Sequence, residues 1–152
     1  MHKFSGKWIT DKDFEAALCG DLDAKKRAMS AHILFRTRFV WDKAGRVRLY
    51  FSADDYCKVY VNGKLAAQGP APCYAHHTYY VSKDITKYLQ NGENAIAFHS
   101  YYQGLVNRVW VSGDLRHGLI FDVCSLGRLL ACSDERVLCA RHTGYSISHI
   151  VG

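Results

Sequence analysis

Apolar and polar residues alternate through most of this chain from Ala31 onward, with the period of two expected of half-buried strands. In Ile33-Leu-Phe-Arg-Thr-Arg-Phe-Val-Trp41 the alternation puts Phe35, Thr37 and Phe39 on one face and Arg36 and Arg38 on the other. Arg46-Val-Arg-Leu-Tyr-Phe-Ser-Ala53 repeats the design with Val47, Leu49 and Phe51. Val59-Tyr-Val61 and Lys64-Leu-Ala66 flank Asn62-Gly63, two residues that tolerate positive φ and suit the type I′ turn of a tight hairpin. A second hairpin is expected from Gly118–Cys124 and Arg128–Cys132 around Leu126-Gly127. His77–Val81 reads as a strand, and Ala95–Tyr102 as a buried one. Asp84–Leu89 reads as one helical turn capped by Asp84 and ended at Asn91-Gly92. Short strands with turn signals at about 8–12-residue spacing, and no long amphipathic helix, predict an all-β antiparallel sandwich.

The first thirty residues differ. They are polar and weakly patterned, so residues 1–30 are expected to be an irregular segment of loop and short helix, and 31–152 the sandwich. At 152 residues, 49% of them hydrophobic, the chain has enough apolar surface for one core without staples. Six cysteines lack a Cys-x-x-Cys pair and a regular spacing, so free, mostly buried thiols are expected rather than disulfides or a zinc site. The net charge of +6 does not concentrate on one segment, and Lys25-Lys-Arg27 sits beside Asp21 and Asp23. This argues against nucleic acid as a partner. No apolar run approaches the roughly 18 residues of a membrane span, and Met1–Trp8 lacks the apolar core of a signal peptide. The default expectation is a cytoplasmic protein with no membrane partner.

Chemistry is sparse. Asp54-Asp55 and His76-His77 are adjacent pairs whose side chains diverge on a strand, so neither reads as an acid–base pair or, with His99 and His117, as a metal site. There is no Gly-x-Ser-x-Gly elbow and no Gly-rich phosphate loop. What stands out is aromatic: Tyr74, Tyr79, Tyr80, Tyr101, Tyr102 and Trp110, interleaved with Gln68, Gln103, Asn107, Arg108 and Asp114. Flat rings edged by amides and guanidinium suit sugars, which pair C–H faces with hydroxyls. The same rings also suit a sandwich core, and Tyr101 and Tyr102 must face opposite ways.

Ser52-Ala-Asp-Asp-Tyr56 with Val59-Tyr-Val-Asn-Gly63 resembles accessory β-sandwich domains of glycoside hydrolases. Gly69-Pro-Ala-Pro72, Asp84–Leu89, Gly92-Glu-Asn94, Tyr101-Tyr-Gln-Gly104, Asn107-Arg-Val-Trp110 and Ser112-Gly-Asp114 narrow the resemblance to the N-terminal region of bacterial α-L-rhamnosidases. The resemblance implies a jelly-roll-like, galactose-binding-like sandwich, without catalytic residues of its own, from a large inverting hydrolase. It implies that the two carboxyl groups which inversion needs lie in a separate (α/α)6 barrel. The partners implied are a rhamnose-containing glycan or glycoside and the catalytic domain of the same polypeptide, and no cofactor is expected. The ligand surface would be Tyr74, His76, His77, Gln103, Asn107 and Arg108. Some related domains bind rhamnose through calcium held by a loop carboxylate, but Pro72–His77 offers none, so no metal is expected. The alternative is a purely structural packing module. Arg141–Gly152 reads as a strand entering further sequence, as in a truncated chain, and a detached sandwich with an uncovered apolar face would self-associate.

Overall fold

In a computed structural model the protein is described at residues 2–12, 14, 29–71, 78–104 and 117–145. Among the described residues nine strands run in order: β1 (Ala31–Trp41), β2 (Val47–Asp54), β3 (Tyr56–Val61), β4 (Lys64–Gly69), β5 (Val81–Asp84), β6 (Gly92–Tyr102), β7 (Gly118–Ser125), β8 (Arg128–Cys132) and β9 (Leu138–Arg141). They form two antiparallel sheets, ordered β4-β3-β6-β1-β9 and β5-β2-β7-β8. The chain changes sheet between β1 and β2, β2 and β3, at each link from β4 to β7, and between β8 and β9, as a jelly roll does. The all-β sandwich read from the alternation is the fold of the molecule.

The core lies where the inward positions of the two sheets meet. Phe35, Ile33, Ile96 and Phe98 from the five-stranded sheet face Leu49, Phe51, Leu119 and Phe121 from the other, all essentially inaccessible. Phe98 stacks on Phe121 with ring centroids 4.4 Å apart. Each such side chain contributes roughly 1.5–3 kcal/mol by leaving water, and because alternate residues point the same way, a one-residue slip of any strand would expose the whole set.

The turns follow their residue types. Asn62 and Gly63 have φ of +48° and +79°, and Leu126 and Gly127 have +48° and +75°, so both hairpins close as their sequences predict. Asn62 does more than turn the chain. Its Nδ2 donates to Tyr88 O at 3.0 Å and to Asn94 Oδ1 at 2.8 Å, while its Oδ1 accepts from Ala95 N. Asn94, buried, returns two bonds to Gln90 O and Gly92 O, which stitches the β3–β4 turn to the start of β6.

Four local expectations need correction. The strand expected at 77–81 begins at Val81, and Ser52 Oγ donates to Tyr79 O at 2.7 Å in place of a ladder bond. The helical turn is a 3-10 turn, Thr86–Tyr88, with Thr86 N donating to Asp84 Oδ1 at 3.0 Å. β6 is buried on its inner face alone, since small and polar residues alternate with its apolar ones. The strand expected from Arg141 instead ends there, and 142–145 form a turn beside β1, His142 N donating to His32 O, with 146–152 outside the described residues. Of the described thiols, all free, Cys57 is buried, Cys124 and Cys132 are half-buried and Cys139 is exposed, because β9 is an edge strand.

Residues 2–9 pack against β7. Ile9 bridges to Leu119, Lys7 N donates to Ser133 O, and the buried Asp122 carboxylate accepts from Ser5 N and Gly6 N at 2.8 and 2.9 Å. The same carboxylate lies 2.8 Å from His2 Nε2, whose ring stacks on Tyr50 at 3.8 Å. Trp8 lies on Gly118, where a Cβ would come within 2.7 Å of the indole.

Candidate functional site

Strand direction gives the sandwich two unlike ends. At one end lie the tight connections: 42–46, Asn62-Gly63, the 3-10 turn and Leu126-Gly127. The ends of β1, β2, β3, β4, β6 and β7 that carry Ala31, Asp54, Tyr56, Gly69, Tyr102 and Gly118 gather at the other, with Val81 nearby, as the registers require. Of the six residues expected to form a ligand surface, Tyr74, His76, His77, Asn107 and Arg108 lie outside the described residues. The described strand ends that flank them belong to this second end. Gln103, the remaining one, is half-buried, and its backbone is tied down: Gln103 N donates to Asp55 Oδ2 at 2.8 Å and its carbonyl accepts from Ser30 N. Asp55 is therefore a latch between the β2–β3 and β6–β7 connections, and the Asp54-Asp55 pair is architectural. Tyr102 is core and Tyr101 faces outward, as their adjacency demands. Tyr79 and Tyr80 are partly exposed, and the Tyr80 hydroxyl accepts from His2 N.

Beneath this end a serine and a histidine meet. His117 Nε2 lies 2.9 Å from Ser100 Oγ and its Nδ1 lies 3.0 Å from Thr10 Oγ1. The spacing is that of a nucleophile and its base, but Ser100 is fully inaccessible and the imidazole is packed against Phe14 at 4.6 Å. Burial pushes the His117 pKa down to about 3, Asp11 opposing and Arg141 reinforcing that fall, so the ring stays neutral and weakly basic. Neighbouring Asp11 receives Arg141 Nε at 2.8 Å. The cluster is a polar rivet joining the N-terminal segment, β6 and β9. It is not a reaction centre.

The outer face of the five-stranded sheet is different, because its chemistry reaches solvent. Register lines up its outward side chains in rows across β3, β6, β1 and β9: Tyr60–Ala97–Arg36–Leu138, and beside it Lys58–His99–Leu34–Ala140. The small side chains of Ala97 and Ala140 sink the middle of this surface into a trough of about 530 Å3. One end is closed by rings. His32 Nδ1 lies 2.9 Å from His99 Nε2, Tyr145 stacks on His32 at 3.8 Å and 11°, and His142 stacks on His99 at 5.6 Å. Burial, then the His99 and His142 charges, take the His32 pKa down to about 4. Burial, then His142 and Lys58, also lower His99. Near pH 7 these two rings are thus neutral, each with a donor and an acceptor. Among the described residues no group of three His, Cys, Asp or Glu side chains is placed to hold a metal ion. Of this surface the sequence singled out Arg36 only as an outward charge and His99 as a candidate group. Its partners are up to 67 residues away, and the signal that could have found them is the run of outward histidines and alanines on two otherwise regular strands.

No protein-family model matches the chain, and no curated protein matches it. Solved structures do. The chain is similar to a GH78-family rhamnosidase of Bacillus sp. GL1, with TM-score 0.77 and 24% identity over 93% of this chain and 14% of that one. It is similar to the α-L-rhamnosidase of Aspergillus terreus, with TM-score 0.62 and 23% identity over 73% of this chain and 15% of that one. A lectin of Pleurotus ostreatus matches with TM-score 0.59 and 16% identity over 93% of this chain and 36% of that one. These likenesses establish a fold shared with a small part of each larger protein.

Proposed function

We propose that this chain is a noncatalytic accessory β-sandwich of an α-L-rhamnosidase-type glycoside hydrolase, serving to position a rhamnosyl substrate or to support the catalytic barrel. The observation that carries this reading is the fit of nearly the whole chain to about one-seventh of a rhamnosidase. The ordered motifs from Gly69 to Asp114 support it independently of geometry. Tyr74, His76, His77, Gln103, Asn107 and Arg108 are the proposed sugar contacts; of these Gln103 alone is described, at the end of the sandwich where Asp54, Gly69 and Gly118 also lie. Titrating the chain with L-rhamnose, with and without calcium, tests the sugar role: saturable shifts of loop tyrosine signals support it. A silent titration would favour the packing module, a role the exposed Val40 and Leu138 side chains also suit. Hydrolysis of an aryl rhamnoside by the purified chain would overturn the noncatalytic reading.

A further inference from the structure

We infer that the trough on the outer face of the five-stranded sheet is a second binding site, for one or two sugar rings bearing a carboxylate. The inference rests on the sheet face alone and not on kinship with rhamnosidases. Ala97, Ala140 and Leu34 line the trough with aliphatic surface fit for the C–H face of a pyranose, and Tyr60 lines it too. At about 530 Å3 the space lies within the usual range for small-molecule sites. His99 and His142 line the same trough, and with Nε2 held by His32 at 2.9 Å, His99 keeps Nδ1 as one hydrogen-bonding nitrogen for a hydroxyl.

Charge selects the acid. The outward charged residues of the described strands on this face are Lys58, Arg36, Arg38 and Glu93. Glu93 is taken by Arg38 at 2.9 Å, which leaves Arg36 in the trough wall with no carboxylate partner among the described residues. A guanidinium fork accepts a carboxylate in bidentate fashion. The excess of positive charge also disfavours a second copy of the chain as occupant, since two such faces would repel.

The test is a titration of the whole chain, followed by NMR at the Ala97 and Ala140 methyls and the His99 ring, with digalacturonate and with neutral galactobiose. Saturable shifts with the acid are expected, about tenfold tighter than with its neutral counterpart and weakened about tenfold in Arg36→Gln, the loss of one charged hydrogen-bonded contact. Ala97→Trp should fill the trough and abolish the shifts, its fold being checked by circular dichroism, with Arg36→Gln as the independent surface variant. Equal affinity for both disaccharides, binding indifferent to both variants, or no shift up to about 20 mM, well beyond millimolar affinity, would each overturn the inference. So would sedimentation showing a dimer that Ala97→Trp dissociates. Retained L-rhamnose binding beside a silent trough would remove this site and leave the accessory-domain reading in place.

Discussion

Acidification should weaken this fold in part through His117. The ring is buried between Thr10 and Ser100 hydroxyls, both of which can serve a neutral imidazole, and its folded pKa is about 3 against an ordinary 6.5. A lowered histidine pKa means that the unfolded chain takes up the proton first. Stability is then complete above about pH 6.5 and falls as pH drops toward the folded value, because ν_U exceeds ν_N in that window. Linkage between those two values gives a loss of about 2–3 kcal/mol for His117 alone between pH 7.5 and 4.5, a large share of the roughly 5–15 kcal/mol that holds a domain together. The assay is urea unfolding at intervals from pH 7.5 to 4.5, for the parent chain and for His117→Gln, which keeps hydrogen-bonding reach but cannot titrate. The variant will be less stable at neutral pH, having lost its ring contacts with Phe14 and Phe35. Its curve should nonetheless be flatter by about one proton, or about 1.4 kcal/mol per pH unit. His32 and His99 stay in both proteins and cancel in the difference. Parallel curves for the two proteins, or a His117 resonance titrating near pH 6.5, would refute the reasoning.

Asp122→Ala should cost about 3 kcal/mol by stranding the Ser5 and Gly6 amides, and limited proteolysis should then cut within residues 2–9 before the sandwich. Asn94→Ala, which opens the network to Asn62, Gln90 and Gly92, should cost about 2–3 kcal/mol in urea unfolding. Gly118→Ala should displace Trp8, shift the tryptophan emission to the red and cost about 1–2 kcal/mol. Thiol labelling should reach Cys139 in the native chain, slowly at neutral pH because burial pushes its pKa to about 11, and reach Cys57 only on unfolding.

The inward half of each strand was legible because burial writes itself into single segments. Phe35, Phe39, Leu49 and Phe51 announce a face without knowledge of any partner, and Asn62-Gly63 and Leu126-Gly127 name their turns locally. The errors fall where tertiary contacts override the local text. The strand is Val81–Asp84 and leaves out 78–80, because a serine on β2 captures Tyr79's carbonyl. Residues 2–9 look unpatterned, yet they pack on the sheet because Asp122, buried on β7, offers its carboxylate to their amides. Neither contact has a periodicity to read.

The outward half was illegible for a different reason. On an exposed face the identity of a side chain is not dictated by burial, so Arg36 reads as ordinary surface, and Ala97 and His99 as part of a buried strand, until register sets them side by side. His32 and His99 are separated by 67 positions yet meet at 2.9 Å, and the trough exists because alanines on β6 and β9 fall on either side of β1. A one-residue shift of β6 would keep its composition and erase the site. The inner-face aromatics forbid that shift, since it would turn Phe98 and Ile96 to water. The core thus holds the outer chemistry in place without touching it. A site of this kind should tolerate changes to its rim while remaining sensitive to any mutation that loosens the β1–β6 register.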